Sequence, residues 1–562
     1  MIKKALYIGF LALAAGSFVS CNETFDKEPL DKFVVGTEYW SKTANVDAQL
    51  NTFYEQFIGY GNGGTNSQFY FSFLSDDQVG ADFQQWKFTN APASSSSWND
   101  PYTEIRRANT ILAGVESSTL SEAQKVAYYA FARLMRAYEY YLLVRAYGDV
   151  PLYDHALDAS ETDAIYGPRT DRDQVMDFVL EDLNYAVANL ADNTSKVTVN
   201  KAVANAMKAE ICLYEGTYCK YRTAADNAGK GPNTERANKF LTEAVNACQF
   251  IMGKGYSLSD NYGDIYNSTD LSSNSEIIMF KNYVQATLMH SVIDYTSSST
   301  QMSGMSKDAF DAYLFVDGKP LATTGENKSD AAVVDGDKLS LEPLMAVRDK
   351  RLAAQIDHVL LYNGRPNMRK SDDMAMTSST GYGVLKFDNL DIPTSYRSVG
   401  TSNYTDGPLY WLAMIYLEYA EAKAELGTIT QADLDNTINK LQARAGLPNM
   451  SLNPAADPAN NHGVSNLLWE IRRARRCELM FDGYRYWDLI RWHQLDKLDT
   501  QKYPNILLGA NIVNDTQEKS VTLSGNYIAK SGARVFDKKH YFYPIPTGQI
   551  TLNPNLVQNP GW

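Results

Sequence analysis

Apolar residues recur at helical spacing through most of this 562-residue chain. Over 128–147, Phe131, Met135, Tyr138, Leu142 and Ala146 fall on one stripe, the repeat of an amphipathic helix. Ser121 followed by Gln124 supplies a start, and Gly148 with Pro151 a stop. The next segment is capped at Thr170 and repeats at Val175, Phe178, Leu183, Val187 and Leu190. Further helices are predicted over 201–218, 234–252, 410–426, 431–445 and 464–480. In the first of these, Ala202, Ala206 and Ala209 are small enough for a neighbouring helix to approach closely. Helix pairs of this length point to a mostly α fold of stacked, tetratricopeptide-like hairpins, although no clean 34-residue repeat is visible. Between 255 and 407 the pattern fades into Ser-, Thr-, Asn-, Asp- and Gly-rich sequence, and irregular regions of that length tend to be functional.

The N-terminus predicts location. Lys3 and Lys4 precede an apolar run over 5–15, followed by Gly16, Ser17 and then Cys21. A basic start, a short apolar stretch and small residues before the break describe a secretory signal over 1–20, too short to span a bilayer. A cysteine at the break marks Cys21 for lipidation, though Phe18-Val19-Ser20 departs from the commoner Leu-Ala-Gly box. Residues 21–45 then form a tether with an acidic beginning (Glu23, Asp26, Glu28). Losing Lys3 and Lys4 moves the net charge from -14 to -16, which argues against nucleic acid as a partner and favours neutral or basic ligands. Cys212, Cys219, Cys248 and Cys477 form no dense disulfide framework, so packing must hold the core.

No catalytic pattern stands out. The six histidines are dispersed without an H-E-x-x-H helix, and no G-x-S-x-G elbow occurs. Residues 59–64 satisfy G-x-G-x-x-G but follow an amphipathic helix instead of a strand, which reads as a flexible loop. Asp76-Asp77 reads as a turn or helix cap, since adjacent carboxylates point different ways. There is no EF-hand loop, so no metal and no cofactor is expected. Aromatic residues are abundant: 37 Tyr, 22 Phe and 8 Trp. Sugar rings stack on flat side chains while their hydroxyls pair with amides and carboxylates, and Tyr and Trp offer such contacts at low entropic cost. Rings on unpatterned polar sequence are the candidates for that role. They are Tyr70, Trp86, Phe88 and Trp98 in the first region, with Asp77 beside them, and Tyr283, Tyr295 and Tyr313 in the second.

Residues 467–492 read LLWEIRRARRCELMFDGYRYWDLIRW, with Arg472, Arg473, Arg475 and Arg476 ahead of Glu478, Asp482-Gly483 and Trp487-Asp488. This string closely resembles the hallmark of the RagB/SusD family of surface glycan-binding lipoproteins. So do Tyr543-Pro544-Ile545-Pro546 and Asn559-Pro560-Gly561-Trp562 in the tail, and Trp98, Tyr102, Ile105, Asn109, Arg136-Ala137 and Gly148-Asp149-Val150-Pro151 earlier. One departure is Tyr410-Trp411, where the family often has an arginine ahead of the helix. The resemblance implies one compact fold, a helical-hairpin scaffold overlaid by irregular loops and small strands, with an N-terminal half over 46–250 and a C-terminal half over 251–562. It also implies a non-enzymatic, cell-surface lipoprotein of the outer membrane. Such a protein captures oligosaccharide and delivers it to a SusC-like TonB-dependent transporter. In the family the acidic pair corresponds to Asp76-Asp77, and Trp98 is either a structural anchor or a stacking platform. Peptide cargo, a surface glycoside hydrolase and a protein-binding scaffold are the alternatives.

Overall fold

The computed structural model describes residues 36–61, 70–80, 82–225, 229–296, 303–397, 400–517 and 520–562. The predicted signal and the tether as far as residue 35, Cys21 included, lie outside them, as do residues 62–64 of the glycine loop, whereas residues 36–45, expected to be tether, are helical over Thr37–Trp40 and from Thr43 onward. After a short helical turn (Thr37–Trp40) and α1 (Thr43–Asn51) come five long helices: α2 (Ser96–Glu116), α3 (Glu122–Tyr147), α4 (Arg172–Asn189), α5 (Lys201–Tyr221) and α6 (Thr234–Met252). Each packs on the next, and the series continues from α6 onto α7 (Leu412–Glu425). The stacked helices foreseen from the apolar stripe are therefore present. Helix α3 begins in a capping box between Ser121 and Gln124 and stops at Gly148, whose φ of 74° is open to glycine. At Gly216 of α5 a Cβ would stand 2.7 Å from Leu241 of α6, so a small residue sets how closely that pair approaches.

Three boundaries differ from the sequence expectation. Asp171, one residue after Thr170, caps α4, because its carboxylate accepts from the Asp173 N–H. Tyr410 and Trp411 belong to a strand, not to the following helix, because the backbone there pairs with 277–281. The 431–445 helix is two, α8 (Gln431–Asn436) and α9 (Ile438–Ala445), broken at Thr437 with φ -132° and ψ -91°. Helices α10 (Asn466–Glu478) and α11 (Arg485–Arg491) follow, with Phe481 between them in the left-handed region at φ 70°.

Small antiparallel ladders overlay this scaffold. They pair β1 (Gln78–Val79) with β3 (Gly304–Met305), β2 (Ile277–Lys281) with β6 (Gly407–Trp411), and β4 (Val333–Asp335) with β5 (Lys338–Ser340). The strands β7 (Leu508–Asn511), β8 (Leu523–Ser524) and β9 (Tyr527–Ala529) form a three-stranded sheet in the order β7-β9-β8. One continuous apolar core runs through nearly all of the described elements.

The arginine run on α10 is structural. Arg476 donates to Asp77 (2.8 Å) and Asp308 (2.9 Å), Arg475 to Asp488 (2.9 Å), and Arg491 to Glu421 (2.6 Å) and Asp488 (2.9 Å). Glu478 accepts from Arg351 (2.8 Å) and from Arg444. These groups are almost fully shielded from water, and each buried charge has an opposite charge within bonding distance. Asp76 and Asp77 form no turn or cap: Arg485 chelates Asp76 and Arg476 reaches both. Burial opposes ionisation of Asp76, but Arg476 and Arg485 together outweigh it and hold its carboxyl well below the usual range.

Candidate functional site

A cleft of about 580 Å³ opens beneath the start of α2. Asn99, Tyr102, Thr103 and Arg106 fall at successive helical spacings and line one wall. Tyr153 and His155 lie on the loop that follows α3, and Gln549 and Asn553 come from the C-terminal tail. The lining holds rings, amides, one arginine and one histidine, and no carboxylate.

Buried side chains fix that rim. Asn109 Nδ2 donates to the carbonyls of Tyr153 and His155, both at 3.0 Å, while its Oδ1 accepts from Arg136 Nη1 at 2.7 Å. Arg136 is in turn held by Asp182 through two bonds of 2.8 and 2.9 Å. Tyr102 donates to the Pro151 carbonyl at 2.9 Å, and Tyr140 accepts the Tyr153 N–H at 2.6 Å. His155 sits between Asp154 (2.7 Å) and Glu161 (2.9 Å), and its hydrogen bonds to these carboxylates raise its pKa. The third wall is pinned through Gln549 to Asn99 (3.3 Å) and Asn553 to the Gly167 carbonyl (2.9 Å). Rings beside the exposed Arg106 guanidinium, on a rim whose amides are held in place, form a surface suited to a sugar: C–H faces stack, hydroxyls bond.

The sequence candidates divide among three settings. Trp98 lines this cleft but is only 4 % exposed, held edge-on to Tyr147 at 5.0 Å; it anchors the wall instead of offering a face. Trp86 and Phe88 lie on the segment that runs along the tail. Trp86 is half-buried and stacks on His540 at 3.9 Å and 14°, with its indole N–H donated to the Val535 carbonyl at 3.1 Å, so one ring face is already covered. Phe88, also half-buried, meets Tyr543 edge-on at 5.0 Å.

Tyr70, Asp77, Tyr283 and Tyr313 are built into the interior and are not offered to a ligand. Lys87 caps the Tyr70 ring at 4.7 Å. Tyr283 stacks on Tyr60 at 6.4 Å, meets His290 edge-on at 4.6 Å, and donates its hydroxyl to the Ile58 carbonyl. Asp77 belongs to the α10 ion-pair network, and the Tyr313 hydroxyl is bonded to Gln355. Tyr295 is half-buried. The β1–β3 ladder brings its neighbourhood beside the first aromatic region, since Gln78 donates to Ser303 (2.5 Å) and Ser303 donates to the Thr296 carbonyl (2.8 Å).

The sequence reading missed Asn99, Tyr153, Arg106, His155, Gln549 and Asn553. The signal within reach was the 99, 102, 103, 106 spacing, a polar stripe on a helix that opens with a buried tryptophan. Among the described residues, one carboxylate–thiol group (Asp173, Glu215, Cys219) has metal-binding spacing. Its charge is already taken up, with Arg172 bidentate on Glu215 and Arg222 bidentate on Asp173. It therefore reads as an ion-pair cluster.

Two family models cover the chain. Residues 25–213 match one described as starch-binding and associating with the outer membrane, and residues 251–562 match that of the SusD family. A SusD-like protein of Formosa agariphila is 25% identical over 514 residues, spanning 87% of this chain and 91% of its own. The crystal structure of a SusD-like carbohydrate-binding protein from Bacteroides fragilis superposes with a TM-score of 0.69 at 22% identity, over 92% of this chain and all of that one. A laminarin-binding SusD-like protein superposes at 0.57 and 21% identity, covering 93% of this chain and all of its own. With the SusD model spanning more than half of its residues, and the mostly α scaffold shared with solved members, this chain belongs to the SusD family.

Proposed function

We propose that this protein is a lipid-anchored capture protein on the cell surface. It holds an oligosaccharide and passes it to a SusC-like TonB-dependent transporter in the outer membrane. The observation that carries this reading is the cleft under α2, where Tyr102 and Tyr153 stand beside Asn99, Gln549 and Arg106. Such a lining recognises hydroxyl-rich rings and contains no paired acid and base for cleaving them. Cys21, just after the signal, supplies the anchor, and the family match to outer-membrane, starch-binding proteins agrees with this assignment.

The hydrolase alternative needs carboxylates facing a cavity, and Asp308 and Asp311, which line one of about 370 Å³, are engaged by Arg476, Lys497 and Lys307. Glu210 and Glu418 line a second cavity of about 180 Å³, and burial pushes the Glu418 carboxyl well above the usual range. That space is about a third of the cleft and too small for a chain of sugars.

Titration of the mature chain against a panel of oligosaccharides, with reducing-sugar release measured in parallel, tests the assignment. Binding without release, weakened by Tyr153→Ala, is the expected result. Release abolished by Glu418→Gln overturns it in favour of hydrolysis. Binding of peptides in place of every sugar identifies a peptide carrier.

A further inference from the structure

Arginines of the hallmark segment also line a separate cleft of about 370 Å³ on the outer side of α10. Arg472, Arg473, Arg476, Arg485 and Lys497 face it against two carboxylates, Asp308 and Asp311. The cations are deep, with side chains 4% to 18% exposed. Most of their anionic partners, Asp76, Asp77, Asp457, Glu470 and Glu425, stand behind the wall and not in it. The exposed lip carries Asn461 and Asn505, with half-buried Trp469 and Tyr503 rings below them.

Arg472 has donors to spare. Its Nη2 bonds Glu425 at 2.8 Å, its Nε comes no nearer than 3.9 Å to Glu421, and its buried Nη1 meets no acceptor among the described residues. Trp492 covers this guanidinium at 4.4 Å and Tyr221 at 5.0 Å. His462 on the rim reports the same field: burial lowers its pKa most, and Lys497, Arg485 and Arg472 lower it further against the opposing pull of Asp496. Guanidinium donors left unmet in a ring-lined, cation-rich pocket are satisfied by an oxyanion.

We propose that this cleft is a second binding site, for the carboxylate or sulfate group of an acidic sugar, with the sugar ring against Trp469 and Tyr503. It takes from the capture reading only that the cargo is a glycan, and it reverses the preference for neutral ligands that the chain's net charge of -14 suggests.

The test is calorimetric titration of the mature chain with tri-galacturonate, neutral galactotriose and sodium sulfate. The acidic trisaccharide is expected to bind at least about tenfold tighter than the neutral one, with affinity falling as salt rises. Asn505→Trp, which fills the exposed lip, removes that preference. Lys497→Gln reduces it roughly threefold. Tyr153→Ala, in the other cleft, weakens the neutral trisaccharide but leaves the salt-dependent binding of the acidic one in place. Equal affinity for both trisaccharides, or an acidic preference that survives Asn505→Trp, overturns the second site while glycan capture stands. Sulfate binding with no acidic-sugar binding shows a site for free anions only and also overturns it. Failure of every glycan removes both readings.

Discussion

Two regions of this molecule are rich in arginine and aromatic rings, and they are organised oppositely. Around α10 and α11 the charges, Arg472 on the second cleft excepted, are matched with carboxylates at bonding distance, and the rings cover guanidinium faces, as Trp492 covers Arg491 at 4.7 Å. In the cleft under α2, Arg106 is exposed and makes no ion pair with any described residue, while Tyr153 presents a half-exposed ring. The same residue types thus serve as scaffold where they are mutually satisfied and form the proposed binding surface where capacity is left over. What distinguishes the two is the second layer: Asn109 and Arg136 spend their hydrogen bonds on the backbone of the cleft rim, so that the rim's own side chains need not.

Substitution sharpens this contrast. The largest effect is expected for Arg476→Met, which strands Asp77 in the interior and leaves Asp308 with Lys497 alone. Removing one partner of a buried pair costs about 3–5 kcal/mol, so urea unfolding should show a large fall in stability or a loss of soluble protein. A loss below 1 kcal/mol would break the claim that the α10 charges hold the fold. Next comes Asn109→Ala, which leaves Arg136 and two rim carbonyls short of partners, at about 1–3 kcal/mol. It should also weaken glycan binding without touching the sugar, whereas intact binding would show that the rim holds itself.

Tyr153→Ala should reduce glycan affinity about tenfold with an unchanged far-ultraviolet spectrum. Unaltered affinity would move the site away from this cleft. A smaller effect concerns His540, whose imidazole is lowered to about 4 by burial and then by Lys539. A histidine with a depressed value contributes stability above its ordinary 6.5 that is lost as pH falls toward 4. After solvent screening this amounts to roughly 1 kcal/mol. His540→Gln should flatten the stability profile over that window, and a profile identical to wild type would sink the assignment. The smallest effect is Arg106→Gln, where stability should stay within about 0.5 kcal/mol; a larger drop would mean the guanidinium is structural after all.

Much of the scaffold was legible in the apolar stripes because a long helix must bury one face, and Phe131, Met135 and Leu142 show which. The strand at Tyr410 was not, since its pairing with 277–281 is non-local and the residues suit either conformation. Asp76-Asp77 looked like a turn because local pattern carries no information about Arg476 and Arg485, some 400 positions away. Site residues were the hardest to see. Tyr283 and Tyr70 lie on polar, unpatterned sequence, yet other loops fold over them. Tyr153 and His155 matter through a position set by Asn109, 44 and 46 residues distant.

The tail that closes the cleft has a temporal consequence. Tyr543 N–H bonds the Ala146 carbonyl, Thr547 and Gly548 bond Pro92 and Ala93, and Asn559 reaches the Tyr147 carbonyl. A chain emerging from the ribosome or the secretion channel therefore lacks its third wall until residues beyond Gln549 arrive. Full-length synthesis becomes the condition for completing the cleft, so truncated copies would be left without its third wall.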